Sequence, residues 1–154
     1  MASPTRDFTA TTFVVQDRRT LLLWHTQIRA WLPPGGHIMP DELPDTAALR
    51  EVREETGLEV ELLDQAGALG KVRVLRTPVC ILLEDIRPGH QHIDLIYFAR
   101  VTGGQARLAP QEAEALRWCT EQELGDPEIA EDIRVLGRRA ITAVMQSAGE
   151  RPQS

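Results

Sequence analysis

The sequence predicts an α/β protein that forms a single domain. Segments rich in β-branched and aromatic residues outnumber the segments with helical periodicity, which lie at residues 45–55 and 128–148. A chain of 154 residues has the length of one domain with a buried core, and no repeat or long linker divides it. We therefore expect residues 1–154 to form one domain, with loose ends at residues 1–6 and 149–154.

The strand-like segments follow one another with short turns between them. Residues 8–15 and 20–25 are separated by four polar residues, so they are expected to pair as a hairpin. The later candidates are residues 59–63, 71–76, 78–86, 93–101 and 115–119. Strands therefore make up most of the predicted regular structure.

The segment after Pro44 predicts a helix. Asp45 is the expected N-cap, residues 47–55 are mostly good helix formers, and Gly57 is placed to end the helix. Because successive residues turn by about 100°, three apolar side chains share one face. They are Ala48, Leu49 and Val52. This face is expected to pack against the core.

Three glutamates lie on the adjoining face of the same helix. Glu51, Glu54 and Glu55 are spaced i, i+3 and i+4, which places their carboxylates in one patch. Like charges at this spacing repel one another, and a hard divalent cation with oxygen ligands would offset the repulsion. A solvated acidic helix face is the alternative explanation of the glutamates taken alone.

The residues before the helix complete a longer pattern. Two prolines and two glycines at residues 33–36 predict a tight loop, Glu42 follows Gly36 after five residues, and Arg50 follows Glu42 after seven. The segment resembles the Nudix box, G-x5-E-x7-R-E-U-x-E-E-x-G-U, in which U is aliphatic. The matching positions are Gly36, Glu42, Arg50, Glu51, Val52, Glu54, Glu55, Gly57 and Leu58. We therefore expect a Nudix hydrolase.

The resemblance implies a fold and a reaction. Nudix enzymes have an α/β/α sandwich in which a mixed β-sheet lies between helices, and the order of the predicted strands is similar. The implied reaction is hydrolysis of a diphosphate linkage in a nucleoside di- or triphosphate, or in a related nucleoside diphosphate derivative, by attack of water at phosphorus. The implied cofactor is Mg²⁺, and Mn²⁺ would also fit oxygen ligands.

The resemblance also assigns roles within the box. The side-chain metal ligands that it implies are Glu51, Glu54 and Glu55. The carbonyl of Gly36 is expected to add another ligand. Arg50 is expected to orient a carboxylate, because it can pair with Glu54 at i+4 or with Glu42.

The general base is left open among three glutamates. Nudix enzymes use either a glutamate of the box or one from a late loop, so Glu54 ranks first and Glu112 and Glu114 follow. Two further side chains are expected to contact phosphate, namely Arg29 before the loop and His37 within it. For each of these residues outside the box, an ordinary surface role is the alternative.

The charge balance limits the class of partner. Lys plus Arg number 17 and Asp plus Glu number 23, which gives a net charge of −6. This balance disfavours nucleic acid polymers and anionic membranes. The resemblance to Nudix enzymes implies a small-molecule nucleotide as the partner. Cys80 and Cys119 are interpreted as buried thiols, which together with the absence of an N-terminal apolar segment predicts a cytoplasmic protein. A homodimer is left open.

Two histidines lie near the turn before the segment 93–101. His90 and His92 have no Cys or His partners at metal-binding spacing in the sequence. We therefore expect no zinc site at these residues.

The choice of substrate is left open by the sequence. An ADP-ribose or nucleotide-sugar pyrophosphatase is an alternative, although Pro78 lies later than the proline that many ADP-ribose enzymes carry after the box. A non-catalytic nucleotide-binding module on the same fold is a second alternative. An isomerase acting on an allylic diphosphate is a third, and it would need Cys80 as a catalytic cysteine.

Overall fold

The computed structural model describes residues 2–109 and 113–149 of the chain. Within these residues, eight strands form one sheet and two further strands form a separate antiparallel pair. The strands are β1 (Thr5–Gln16), β2 (Arg19–His25), β3 (Ala30–Leu32), β4 (Gly35–His37), β5 (Glu59–Leu62), β6 (Gly67–Leu69), β7 (Val72–Val74), β8 (Cys80–Arg87), β9 (His90–Gly103) and β10 (Ala115–Cys119). The helices are α1 (Pro44–Thr56), a 3-10 helix (Glu123–Gly125) and α2 (Glu131–Gly149).

The main sheet is mixed because its central pair of strands is parallel. β1 and β9 pair from Thr5 opposite His90 to Val15 opposite Arg100, whereas the other strand pairs among the described residues are antiparallel. Across the sheet the order is β10, β2, β1, β9 and β5, while β3, β4 and β8 pair with β2, β1 and β9. The expected hairpin of the first two strands is present.

A helix packs on each face of the sheet. Because successive side chains along a strand point to opposite faces, they pack against different helices. On β1, Phe13 and Val15 belong to a core cluster that includes Ile133 of α2. Val14 points to the other face and belongs to a cluster that includes Val52 of α1. The two helices therefore bury apolar residues against opposite faces of one sheet. The predicted α/β/α sandwich is confirmed.

α1 agrees with the prediction except at its first residue. Leu43 is the N-cap instead of Asp45, because Pro44 can form the first residue of the helix. The ring of proline fixes the backbone angle of a helical turn, and its missing N–H costs nothing there, since the first N–H groups of a helix have no partner within the helix. The carboxylate of Asp45 accepts a hydrogen bond from the backbone N–H of Thr46 at 2.9 Å. Gly57 ends the helix as predicted, with a left-handed φ of 73° that a residue without a side chain adopts at no steric cost.

The first strand begins earlier than the sequence predicts. Residues 1–6 were expected to lie outside the fold, but β1 includes Thr5, whose backbone N–H donates to the carbonyl of Gly89 at 3.0 Å. The reason is the parallel pairing with β9, which continues to this end of the sheet. At the other end of the chain, α2 includes Gly149, and residues 150–154 lie outside the described residues.

Both cysteines are free thiols, but they differ in exposure. Cys119 is fully buried and Cys80 is partly buried. Burial raises the pKa of each thiol. A nucleophilic cysteine needs a lowered pKa, so the surroundings of Cys80 do not favour a catalytic role.

In the described part of the chain, no helix combines the length and the apolar character that crossing a membrane requires.

A substitution at Val52 tests the packing of α1. Val52 is fully buried between the helix and the sheet, so Val52→Asp should lower the free energy of unfolding by about 3–5 kcal/mol, because it buries a charge without a partner. Thermal or urea unfolding of the apo protein measures the change. Val135→Asp, the same exchange at an exposed position of α2, is the matched control and should leave stability almost unchanged. An unchanged Tm for Val52→Asp would contradict the assigned helix face.

Candidate active site

The glycine loop meets the acidic helix at Gly36. β4 pairs with β1, with Gly36 opposite Ala10, and this pairing places the loop beside α1. A Cβ atom at Gly36 would lie 2.5 Å from Oε1 of Glu51. Real side chains do not approach this closely, so glycine is required for the carboxylate of Glu51 to reach the loop.

Arg50 is the centre of the hydrogen-bond network at this site. Its Nε and Nη2 donate to the two carboxylate oxygens of Glu42 at 2.7 and 2.9 Å. Its Nη1 donates to Oε1 of Glu51 at 2.9 Å and to Oε2 of Glu54 at 3.0 Å. Nη2 also donates to the carbonyl of His37 at 3.0 Å. Both partners that the sequence suggested for Arg50 are therefore present, and Glu51 is a third.

The ion pair of Arg50 with Glu42 fixes the charge state of both groups. The hydrogen bond from Arg50 lowers the pKa of Glu42, and the backbone N–H of Met39 adds a further bond to the same carboxylate at 3.1 Å. The hydrogen bond with Glu42 in turn raises the pKa of Arg50. A guanidinium paired through two parallel bonds has a fixed orientation. Glu42 therefore holds Arg50 in the position from which it contacts the helix carboxylates.

The three helix glutamates lie at different depths. Glu55 is 5% exposed, whereas the side chains of Glu51 and Glu54 are 13% and 52% exposed. The three carboxylates at i, i+3 and i+4 carry like charges, so this patch favours positive charge beyond that of Arg50. Their oxygens form an all-oxygen donor set, which suits a hard divalent cation. The residues present therefore fit the metal that the box implies.

The late loop before β10 approaches the same helix. The backbone N–H of Arg107 donates to the carbonyl of Thr56 at 2.7 Å, and that of Ala109 donates to the carbonyl of Glu55 at 3.2 Å. Glu114 lies exposed just before β10, and Glu112 lies outside the described residues. The described part of the loop, up to Ala109, therefore lies against the end of the helix that carries Glu55. The roles of Glu112 and Glu114 as the general base stay predictions.

The two residues predicted to contact phosphate, Arg29 and His37, lie in different elements of the fold. Arg29 is exposed in the turn between β2 and β3, with a φ of 57°, next to Ile28, which lines a cavity. His37 offers its carbonyl to Arg50, and its ring contacts Asp7, with 3.1 Å between Nε2 and Oδ2. The contact of either side chain with phosphate stays a prediction.

A cavity of about 330 Å³ lies beside Gly35 and Gly36, between the sheet and α2. Its apolar lining residues are Phe13, Ile28, Leu32, Leu82, Ile86, Ile96, Ile133 and Leu136. These residues come from β1, the segment around β3, β8, β9 and α2, so no single stretch of sequence indicates the cavity. It opens next to the glycine loop and is large enough for part of a small-molecule ligand.

A pair of carboxyl groups lies in this cavity. The other polar or titratable side chains of its lining are Thr9, Thr11, His25, Asp85, His92 and Asp132. Asp94 is 4% exposed and accepts hydrogen bonds from the hydroxyls of Thr9 and Thr11 at 2.9 Å. Burial raises the pKa of Glu84 to about 8, and the charge of Asp94 and a hydrogen bond with it act in the same direction. Glu84 is therefore mostly protonated at neutral pH and Asp94 is its acceptor. The signal for both in the sequence is an acidic residue inside an otherwise apolar strand segment.

Three histidines and an aspartate form a second polar group, the histidine cluster (Asp7, His37, His90 and His92). Oδ2 of Asp7 lies 3.1 Å from Nε2 of His37 and 3.2 Å from Nε2 of His90. The ring centroid of His92 is 5.0 Å from that of His37 and 5.3 Å from that of His90. Asp7 and His37, which the fold brings beside His92, come from β1 and β4, so the spacing in the sequence could not indicate this cluster.

Comparison with known proteins decides the family. A family model described as NUDIX domain matches residues 5–140. The chain belongs to the NUDIX family. The resemblance that the box suggested is thereby confirmed over most of the chain.

Individual NUDIX proteins agree in fold and class. A crystal structure of a NUDIX-family hydrolase from Clostridium perfringens is 32% identical and has a TM-score of 0.83, covering 91% of this chain and 99% of that chain. A MutT NUDIX hydrolase from Burkholderia pseudomallei is 25% identical with a TM-score of 0.68, covering 91% of this chain and 98% of that chain. A Bacillus subtilis (strain 168) protein with the provisional name 8-oxo-dGTP diphosphatase is 28% identical over 120 residues, which are 76% of this chain and 70% of that protein.

This NUDIX protein is therefore an enzyme, a hydrolase of nucleoside diphosphate derivatives, as the sequence predicted. Its family acts on small nucleotide substrates, in agreement with the expected class of partner.

The close contact at Gly36 generates a first prediction for the site. Gly36→Ala would place a methyl group 2.5 Å from the carboxylate of Glu51, which is the end of a flexible side chain and can move away. Stability should therefore change little, while nucleotide hydrolysis should fall by about a hundredfold, the scale expected when a catalytic group is displaced. Gly67→Ala is the control, because a Cβ there meets no atom within 4 Å. Equal turnover in Gly36→Ala and wild type would contradict the assignment of Glu51.

The raised pKa of Glu84 generates a prediction about pH. Glu84 binds its proton more tightly in the folded protein than in the unfolded chain. Its contribution to the free energy of unfolding is therefore fully present below about pH 4.5, the ordinary pKa of a glutamate, and is lost as the pH rises to about 8. Relative to Glu84→Gln, the wild type should lose at least about 1 kcal/mol between about pH 5 and pH 8, allowing for partial exposure. Unfolding at several pH values measures this difference. Glu121→Gln, at an exposed position, should follow the wild type, and parallel curves for all three proteins would contradict the burial of Glu84.

Proposed function

We propose that the enzyme catalyses the Mg²⁺-dependent hydrolysis of a diphosphate linkage in a nucleoside di- or triphosphate, by attack of water at phosphorus. The observation that carries the proposal is the network of Arg50, whose guanidinium contacts both Glu54 and Glu51, the latter beside Gly36. The cavity next to the same glycine gives the rest of the substrate a place to bind. A metal site and an adjoining cavity are the two parts that such a reaction needs.

We propose that the glutamates of α1 hold the metal ion. Glu51, Glu54 and Glu55 supply carboxylate oxygens at the helix surface and below it, and the carbonyl of Gly36 adds a neutral oxygen. When bound, Mg²⁺, or Mn²⁺ in its place, neutralises phosphate charge and lowers the pKa of coordinated water. The oxygen-only donor set supports these two ions over zinc or copper.

The protein residues position the reacting groups. Arg50 acts as a positioning residue, because its guanidinium contacts Glu51 and Glu54 while Glu42 fixes its own orientation. Glu54 is the first candidate for the general base, since its side chain is the most exposed of the three helix carboxylates and can be reached by water. Glu114 and Glu112, in and beside the late loop, rank behind it.

The cavity is proposed to hold the nucleoside. Its apolar walls suit the faces of a nucleobase. When a base binds, Asp94 can accept from an N–H of its edge, and the proton that Glu84 otherwise donates to Asp94 can be donated to an acceptor of that edge. This chemistry, with the name of the Bacillus subtilis relative, supports a nucleoside triphosphate, oxidised bases included, as the substrate. Arg29, in the turn beside the cavity, is kept as a proposed phosphate contact, and so is His37 in the protein whose His37 ring holds no metal.

We also propose a cytoplasmic location. The two free thiols, Cys80 and Cys119, are consistent with a reducing compartment. If the protein is purified from cells without added reductant, a thiol titration should still find both cysteines reduced, in agreement with this location.

Charge-neutral substitutions separate a metal site from an acidic surface. Glu54→Gln and Glu55→Gln keep side-chain volume, and they should leave apo stability equal or higher because they relieve repulsion between like charges. Turnover should fall by at least about a hundredfold, the scale lost with one positioned catalytic group. Mg²⁺ should raise the Tm of the wild type more than that of either variant, since ligand binding stabilises the folded state. Glu121→Gln, an exposed glutamate away from α1, is the control and should behave as wild type.

The same assay identifies the base and the substrate. Phosphate release from a panel of nucleotides, oxidised nucleotides and nucleotide sugars with Mg²⁺ identifies the substrate that is cleaved fastest. Glu112→Gln and Glu114→Gln, measured on that substrate, would assign the base to the late loop if either lost turnover while Mg²⁺ protection remained. Hydrolysis that continues in excess EDTA, or normal turnover in both helix variants, would contradict the proposed mechanism.

A further inference from the structure

The histidine cluster lies on one face of the sheet because of strand register. Asp7 of β1 pairs with His92 of β9 in the parallel ladder, and paired residues of neighbouring strands point to the same side. His90 is two residues from His92 and shares its face. His37 of β4 pairs with Thr9 of β1, which is two residues from Asp7. Four metal-binding side chains from three strands therefore point the same way.

The distances within the cluster are those of groups that can share one ion. One ligand atom from each of Asp7, His37 and His92 lies within 4.8 Å of the others. A metal at about 2.0–2.1 Å from each nitrogen needs somewhat shorter separations than this. The ring of His37 is 56% exposed, so it can rotate toward the other two without disturbing the core.

We propose that Asp7, His37 and His92 bind one divalent transition-metal ion of the zinc class, at a site separate from the carboxylates of α1. Two imidazoles and one carboxylate are donors that favour Zn²⁺, Co²⁺ or Ni²⁺ over Mg²⁺. The proposal does not depend on the proposed hydrolytic function. It adds a second metal site of different chemistry, with room for water as a further ligand at the exposed side.

His90 orients this site from within the protein. It is 8% exposed, its Nδ1 lies 2.8 Å from the hydroxyl of Thr5, and its Nε2 faces the carboxylate of Asp7 at 3.2 Å. Outer-shell contacts of this kind fix the position of a metal ligand and raise its affinity. A buried ring held at both nitrogens is a rigid support for Asp7.

The site would tie the glycine loop to the sheet. His37 uses its ring in the histidine cluster and its carbonyl as an acceptor for Arg50, and it follows Gly36 directly. A metal that holds the ring to β1 and β9 therefore restrains the segment that carries Gly36. Zinc binding is expected to raise the Tm for this reason, whether or not substrate is present.

Zinc titration of the full chain in excess Mg²⁺ tests the proposal. Mg²⁺ occupies the hard oxygen site, so zinc bound under these conditions reports the histidine cluster. A competition assay with a chromophoric chelator should show one Zn²⁺ per chain at micromolar affinity. Asp7→Asn and His92→Asn should each weaken binding by at least about tenfold, and Thr5→Val by a smaller factor. Co²⁺ in place of zinc should give the visible absorption of a low-coordinate nitrogen and oxygen site.

Matched controls decide where the zinc is. His25→Asn changes the one histidine of the four that lies outside the cluster, and it should bind zinc as the wild type does. His37→Ala, at an exposed position, replaces His92→Asn as the test if the latter fails to fold. The proposal is overturned if no zinc binds in excess Mg²⁺, or if binding survives in Asp7→Asn and His37→Ala. It is also overturned if Glu51→Gln with Glu54→Gln abolishes binding, because the zinc would then lie at the carboxylates of α1.

Discussion

The hydrogen bonds of one guanidinium hold the candidate active site together. Arg50 contacts Glu42 before the helix, Glu51 and Glu54 on it, and the carbonyl of His37 on β4. Without this cation the carboxylates would repel one another and separate the loop from the helix. The requirement for glycine at position 36 follows from the same arrangement, because the carboxylate that Arg50 holds occupies the space of a Cβ atom.

The sheet divides the chemistry between its two faces. α1 packs on one face and carries the glutamates, whereas the cavity and the histidine cluster lie on the face that α2 covers in part. β4 connects them, since Gly36 contacts Glu51 while Gly35 lines the cavity and the ring of His37 joins the histidine cluster. A short strand thus links the glutamates proposed to bind Mg²⁺, the cavity proposed to hold the nucleoside, and the histidine cluster.

Local sequence was enough to predict five of the strands, the helix α1 and the Nudix box. The strands β1, β2, β8, β9 and β10 lie where alternation and turn residues placed them, and α1 ends at Gly57 as its φ of 73° requires. The errors are of two kinds. Asp45 was taken as N-cap although Pro44 could already start the helix, and Thr5 was left out of β1 because its ladder partner, His90, is far away in the chain.

The sequence by itself determined the family, the acidic helix and two of the partners of Arg50, Glu42 and Glu54, because these groups lie within about one or two helical turns or in one loop and their spacing fixes their contacts. Only the tertiary structure decided that Asp94 and Glu84 share a cavity with Thr11, and that Asp7 meets His37 and His92. These contacts depend on the register of β1 against β9 and β4. Register is set by the burial of both sheet faces together, which no short stretch of sequence specifies.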